Sequence, residues 1–574
     1  MKKVLASKYW WIIVLLLVVA INFIASNIHF RADLTEENRY TLSKPTIRLL
    51  KRLPEPVNIT VFLSGELPAG FKKLANSTGE LLSEFQEYGK NNIRYEFAKP
   101  GEGLDDSAKV LFLDSLHQMG LNPTNIKAQA KSGESQEERL VYAGALVNKG
   151  NRSMVVDLLQ GQAAGGLDAL NNAEALLEYK FASAIQKVST DSVPLVGYLT
   201  GNGQPLTYNV YDLIENTLKR NFAFSFLPID SVPVIPSAFS ALVIVKPTEK
   251  FSESQKLKLD QYVMNGGKLI WFVDKLYAEM DSLMRSRSDF IAFDRDLGIE
   301  DLLFKYGVRI NADLVQDIQS EKIPMVVGNM GNQPQVELIE WPYFPLLSSY
   351  SGHAIAKNLN NVLSVFPNSI DTVKATGVRK TILLATSDIS RILSTPAVVS
   401  LNTVQTQEDL KTFNKRQVPV AVLLEGSFSS LYSNRLSSGM TDTLERIYGQ
   451  PFRSSSLENK MIVVSDADIV TNVVTQNEGP LPMGMNQFNK YQYANKDFLL
   501  NSLEYLMDPS GILETRSKDY TLRLLDPGKV EEQRTTWQFI NLVLPLLLVL
   551  LAGFLYQFTR KRKYLHGQQS TTQS

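Results

Sequence analysis

The 574-residue chain contains no cysteine. Disulfides, thiolate metal sites, cysteine nucleophiles and acylation of a lipoprotein cysteine are therefore excluded together. A large secreted eukaryotic ectodomain is ordinarily stapled by disulfides, so a bacterial envelope is the better setting, and Asn58-Ile59-Thr60 and Asn76-Ser77-Thr78 read as chance sequons. Histidine is almost as scarce. Of four, His29 and His566 flank the apolar ends, leaving His117 and His353 in the body, which argues against a zinc site of ordinary composition. No Gly-x-x-x-x-Gly-Lys-Ser/Thr occurs: Gly266-Gly267-Lys268 lacks the upstream glycine and the hydroxyl and follows a helix, so no P-loop binds ATP here. Gly-x-Ser-x-Gly is absent too, which removes the usual α/β-hydrolase elbow. Excess charge is the last absence. Lys plus Arg equals Asp plus Glu at 59 each, so no global field recruits nucleic acid.

What is present begins at the ends. Tyr9 to about Ala25 is apolar behind Lys2, Lys3 and Lys8, and Trp537 to Phe558 is apolar ahead of Arg560, Lys561, Arg562 and Lys563. A bilayer core of ~30 Å needs ~20 apolar residues per helix, and both segments approach that length. Flanking Lys and Arg tend to remain cytoplasmic, which predicts two spans, both termini cytoplasmic and the bulk of the chain in the periplasm. A cleaved signal peptide is the alternative for the first segment, with Ala25 and Ser26 at the cleavage point. Trp10 and Trp11, placed as an interfacial anchor, argue for retention.

The pattern between these ends divides into two bodies. Ser43 caps a helix with Pro45 in its first turn, and strands at Val57–Leu63 and Ile93–Phe97 alternate with helices at Phe71–Tyr88 and Lys109–Met119. A hairpin, Leu140–Val147 with Met154–Leu158, turns at Lys149-Gly150-Asn151, and a helix follows from about Asn171 to Lys187. This βαβαββα order is that of a thioredoxin-like domain, predicted over 31–189 and lacking redox cysteines. From Val193, strands and helices alternate again: Val193–Leu199, a helix near Val210–Arg220, Ala241–Val245, Ser252–Asn265 and Lys268–Val273. That spacing predicts a doubly wound α/β domain over 190–508. Prolines 324, 334, 342, 345 and 367 interrupt it, so 323–419 reads as a β-rich or irregular insertion. A stalk at 509–536 leads to the second span at 537–558 and a basic tail at 559–574, the first 30 residues being the N-terminus and first span.

Ligands in open α/β sheets sit outside the carboxyl ends of the strands. Those ends carry Thr200, Gly201, Asn202 and Gly203, then Asp274, then Asp466 and Asp468. The functional reading is a cleft whose amides and carboxylates hold a polar ligand or a cation; the structural reading is that the glycines permit positive φ and the aspartates cap turns. Glu337 and Glu340 around Trp341 read as the solvated side of a strand.

Six segments recur in one order in a known family. They are Asn38-Arg39-Tyr40-Thr41-Leu42-Ser43, Val196 to Gly203, Gly266-Gly267-Lys268-Leu269, Val464-Ser465-Asp466-Ala467-Asp468, Asn495-Lys496-Asp497-Phe498-Leu499-Leu500-Asn501, and Leu544 to Leu547. Over its whole length the chain resembles the GldG family, gliding-motility-associated auxiliary or substrate-binding proteins of ABC transporters in Bacteroidota. The resemblance implies an amidotransferase-like middle domain, no catalytic residues, no cofactor and no metal. It also implies a separate permease, a separate cytoplasmic ATPase, and envelope or motility proteins as partners at the inner membrane. Asn202 and Gln204 depart from the family, whose members often carry His and Glu there. Two alternatives stay open: a membrane-anchored metal-dependent hydrolase using an Asp466/Asp468 cleft, and a structural envelope tether.

Overall fold

A computed structural model of the chain describes residue 19 and residues 41–568, apart from 66, 130–135, 160–166, 191, 281–288, 331–332, 402–406, 437–438, 440–441, 443–444, 447–448, 450, 509 and 518–526. Apart from Val19 the first apolar segment, and residues 38–40 of the Asn38–Ser43 motif, lie outside the described residues. The chain divides into two compact units, Met1–Asp519 and Tyr520–Ser574.

The first unit opens with α1 (Lys44–Lys51), where the Ser43 hydroxyl accepts from the Thr46 amide and Pro45 occupies the first turn. Strand β1 (Val57–Val61) alternates buried and exposed, α2 spans Ala69–Gly89, and β2 (Ile93–Phe97) pairs parallel to β1. Helix α3 (Asp106–Gln118) is capped by Asp105, and a hairpin of β3 (Thr124–Gln129) and β4 (Gln136–Val141) follows. The sequence hid that hairpin because Thr124-Asn125-Ile126-Lys127-Ala128-Gln129 holds a single large apolar residue. Strand β5 (Gly144–Lys149) lies antiparallel to β1 and to β6 (Arg152–Asp157), giving the order β2-β1-β5-β6. Helices α4 (Leu167–Ala175) and α5 (Leu177–Ser189) replace the single helix expected there.

A seven-stranded sheet dominates the rest of this unit. Five strands run parallel: β7 (Leu195–Thr200), β8 (Ala223–Pro228), β9 (Phe239–Val245), β10 (Lys268–Phe272) and β22 (Ser455–Val464). Both faces are buried, and alternation sorts the side chains between them. Val243, Val245, Ile270, Phe272, Ile462 and Val464 face one core, while Leu242, Ile244, Leu269, Trp271, Met461 and Val463 face the other. Helix α6 (Glu253–Met264), started by a Ser252/Gln255 capping box, covers the second face, joined by α7 (Glu300–Tyr306). The first face is covered by the π-helical segment Asp212–Leu218, by α8 (Asn495–Met507) and by α5. That core is continuous with the four-stranded sheet: Val57, Ile59 and Phe181 belong to the same buried cluster as Val243 and Phe498. No break in packing marks residue 190.

The proline-rich stretch is β-rich, as expected, yet its parts separate. Strands β11 (Asp289–Ala292) with β20 (Ala397–Ser400) and β13 (Asp313–Asp317) with β19 (Ser390–Ser394) form two small sheets around Trp341, Tyr343 and Phe366, whereas β12 (Val308–Ile310) with β17 (Ile370–Thr372) packs into the core under α6, and the short β16 (Val362–Leu363) adds to a longer ribbon. Between them, β14 (Ser320–Met330) and β15 (Gln333–Leu347) form a long antiparallel ribbon. Pro324, Pro334, Pro342 and Pro345 sit inside that ribbon rather than ending it: Pro324 and Pro334 each pair across it, Pro342 falls in its register shift, and Pro345, opposite Ser320, also accepts from the Ser364 amide beside β16. Residues Thr381–Ala385 do not belong to the insertion. They lie in β18 (Val378–Ala385), which pairs antiparallel to β21 (Pro419–Ser429) and closes the order β18-β21-β22-β10-β9-β7-β8.

In the second unit, α9 (Pro527–Gln538), a π-helical turn Phe539–Val543 and α10 (Leu544–Gln568) run in succession. Pro545 has no amide to offer the preceding turn, and the widened turn just ahead of it absorbs that break. Gln533–Phe558 is long and apolar enough to cross a membrane, the one such helix among the described residues.

Candidate functional site at the carboxyl edge of the sheet

Strands β7, β9, β10 and β22 are parallel, so the residues that follow them emerge on one edge. Asp274 follows β10 and Asp466 and Asp468 follow β22, and carboxylate oxygens of all three lie within 4.8 Å of one another. Of the seven residues that the sequence places at one candidate cleft, these three carboxylates lie together. The sequence missed Lys246, which follows β9 and completes the cluster. Its ammonium lies 2.8 and 3.0 Å from the two Asp468 oxygens and 3.3 Å from Asp274 Oδ2. The available signal was a lysine ending the fully apolar strand Ala241–Val245, at the level where Asp274 ends the neighbouring strand. Lys246 is held at φ +46°, a left-handed conformation that a lysine adopts only when its surroundings require it.

The remaining carboxylate lone pairs serve the backbone. Asp274 Oδ1 accepts from the Ala467 amide at 2.6 Å; Asp466 accepts from the amides of Asp468 and Val365, each at 2.7 Å, and from the Ser364 hydroxyl. Asp468 Oδ1 also accepts from Thr471 Oγ1 at 2.7 Å. Asn368 adds a further tie, accepting from the Lys275 amide and donating to Asp313 O. The cluster therefore ties the ends of three strands to the Ser364–Asn368 segment.

Burial governs the charge. It pushes the Asp466 carboxyl well above the usual range, the neighbouring Asp468 and Asp274 charges add to that, and the Ser364 and Val365 donors offset part of it. Burial also raises Asp274, with Lys246 opposing. For Lys246, burial alone would lower the ammonium, but Asp468 and then Asp274 overcome it and hold the group above its ordinary value. Three oxygen donors at this separation are the set a hard cation takes. Here a lysine ammonium already sits between two of the three carboxylates, so the residues do not fit a metal, and no metal-dependent step is derived through them.

Thr200 to Gly203 form a closed turn. The Asn202 carbonyl accepts from the amides of Thr248 and Glu249, its side chain donates to Gln255 Oε1 at 2.9 Å, and its amide donates to Gln204 Oε1. Gly201 and Gly203 lie at φ +124° and +70°, and a Cβ on Gly203 would fall 2.0 Å from the Thr248 hydroxyl. Asn202 is 1% exposed, so the turn is sealed by the loop that follows β9. That loop links turn and cluster, through Lys246 at one end and Thr248 at the other. Glu337 and Glu340 are both exposed on β15, with Trp341 buried beside them.

With this geometry in view, comparison with known proteins separates family from chemistry. The family described as an ABC-type uncharacterized transport system, its auxiliary proteins, matches residues 194–502, more than half of the chain. The chain belongs to that family. A domain of unknown function matches residues 36–148. An uncharacterized protein of Borreliella burgdorferi (strain ATCC 35210 / DSM 4680 / CIP 102532 / B31) is 20% identical over 558 residues, covering 93% of this chain and 94% of that protein. Among solved structures, the mmIFT52 N-terminal domain aligns with TM-score 0.29 and 12% identity over 54% of this chain and 96% of that one. An exo-beta-1,4-mannosidase, Op5Man5 from Opitutaceae bacterium strain TAV5, aligns with TM-score 0.20 and 10% identity over 69% and 46%. Neither alignment bears on this chain's fold or chemistry. Within the ABC transport auxiliary family, the match covers the whole seven-stranded sheet and its carboxyl edge, so the lysine and carboxylate cluster lies in the family's own region.

Proposed function

We propose that the chain is a non-enzymatic auxiliary subunit of an ABC transport complex linked to gliding motility, held in the inner membrane at both ends with its body in the periplasm. A separate permease and a separate ATPase supply the pore and the energy, and the body binds a substrate or an envelope partner. The observation that carries the reading is membership of an ABC transport auxiliary family in a chain with no P-loop of its own. The apolar helix Gln533–Phe558, followed by Arg560 to Lys563, supplies the means of docking in the membrane. The β2-β1-β5-β6 order supports a thioredoxin-like domain near the N-terminus, and the largely parallel sheet with helices on both faces supports a flavodoxin- or amidotransferase-like second domain.

A photoreactive residue in place of Trp537 tests docking directly. Crosslinking to a permease subunit is the expected result, and crosslinks to lipid alone would refute it. The three grouped carboxylates favour a second reading, a metal-dependent hydrolase, and Lys246 opposes it. Magnesium, calcium or manganese should leave the Tm of the wild-type chain unchanged; a saturable rise with one of them would revive the hydrolase.

A further inference from the structure

A second polar cluster lies away from the carboxyl edge, in a cavity of about 140 Å³ between α5, α8 and the short helical segment Ile512–Ser517. One face of α5 supplies Tyr179, Lys180 and Lys187, one face of α8 supplies Asp497 and Glu504, and Arg516 closes the end. The charges balance, three against three once Asp157 is included.

Their partners do not balance. Lys187 pairs with Glu504 at 2.5 Å, and Glu504 also accepts from the Tyr179 hydroxyl. Among the described residues Lys180 meets no carboxylate within ion-pair distance; its ammonium donates to the carbonyls of Asp157 and Leu158, both at 2.8 Å. Arg516 donates from Nη1 to Asn501 Oδ1 at 3.1 Å and lies over the Tyr179 ring, while its buried Nε has no acceptor. Asp497 receives no hydrogen bond from any described side chain or cap. Burial lowers the Lys180 ammonium to about 8 and raises the Asp497 carboxyl, the direction expected of charges set in a cavity without direct counter-ions.

The rest of the Asn495–Asn501 segment explains why Asp497 stands out. Asn495 ties Leu363 and Ile469, Asn501 ties Ile355 and Arg516, and Phe498 and Leu499 are core. Asp497 has no such duty. Lys180 and Asp497 are both only part-buried and line the cavity, so a molecule entering it meets a charge of each sign. At ~30 Å³ per water, about 140 Å³ holds about five waters, the space of a molecule with about that many non-hydrogen atoms.

We infer that this cavity binds a small zwitterion, its ammonium facing Asp497 and its carboxylate facing Lys180 and Arg516. A free amino acid and a short zwitterionic peptide share that chemistry. The inference needs no partner complex, so it stands or fails separately from the transport role.

The test is calorimetric titration of the detergent-solubilised full chain with each proteinogenic amino acid, with tripeptides, and with N-acetyl and amide derivatives. At least one amino acid or tripeptide should bind with Kd below about 1 mM. Blocking its ammonium or its carboxylate should weaken binding about tenfold or more, as should Asp497→Asn or Lys180→Met with unliganded Tm retained. Preference for the free amino acid or for the tripeptide identifies the source. If Lys180→Met does not fold, Ser183→Phe, which fills the cavity without removing a charge, should abolish binding. No binding up to about 10 mM, equal binding of blocked derivatives, or variants that bind as the wild type would each overturn the inference.

Discussion

Lys246 is the residue on which the carboxyl-edge cluster turns. A buried ion pair contributes little net stability against an apolar replacement, but removing one partner alone strands the other charges. Lys246→Met leaves Asp274, Asp466 and Asp468 crowded without a cation and should destabilise the chain by about 3 kcal/mol at neutral pH, read as a lowered Tm. The pH dependence has a definite sign. Asp466 and Asp274 have raised folded pKa values, so the folded state keeps protons the unfolded state has released, and stability falls as pH rises from the ordinary carboxylate range toward the folded values. Without Lys246 those values rise further. The deficit of Lys246→Met should therefore be smaller at pH 5 than at pH 7, and a deficit independent of pH would show that the lysine acts through packing alone. At this scale the sequence showed the carboxylates but not their counter-ion. Aspartates after strands are visible as motifs, whereas Lys246 and the Ser364 and Asn368 ties depend on segments that only the fold brings together.

At the scale of elements, α6 shows which signals were legible and why. Ser252 with Gln255 three positions later, an apolar face, and Asn265-Gly266-Gly267 at the end mark both termini, and the helix runs Glu253–Met264 between them. Gly266 lies at φ +94°, which ends the helix, while Gly267 is required for a different reason: a Cβ there would stand 2.4 Å from the Tyr262 ring. Gly267→Ala should lower stability by ~2 kcal/mol, because the ring is buried and cannot withdraw without disturbing its hydrogen bond to Phe239 O. An unchanged Tm would show that the ring can move. The ribbon β14–β15 was illegible for the opposite reason. Prolines read as breaks in a strand, and composition does not reveal that Pro324 and Pro334 each pair across a ribbon while Pro342 falls in a register shift. Helix α4 and helix α5 read as one because the helical period runs through both, and the hairpin β3–β4 carried no alternation to detect.

For the whole molecule, the two large sheets share one buried core, so the first unit behaves as a single stabilised body rather than as loosely joined domains. The alternation of strands and helices that predicted a doubly wound sheet was legible in β7, β9 and β10, which are largely apolar and buried on both faces, whereas the edge strand β8 leaves Ser225 and Phe226 exposed and carries no such run. The edge strand β18 was assigned to the insertion because nothing in its residues announces a partner forty positions away. The cavity between α5 and α8 escaped notice for the same reason: Lys180 and Asp497 lie over three hundred residues apart in the sequence. Membership of an ABC transport auxiliary family implies association with an ABC transport complex, and Gln533–Phe558 is long and apolar enough to cross a membrane. The most direct measurement is purification of the tagged full chain in mild detergent from cells expressing its neighbouring transport genes. The account predicts that a permease and an ATPase co-elute in fixed ratio and are lost when residues 537–558 are exchanged for an unrelated apolar span. Elution of the chain alone, with both partners present in the extract, would contradict it.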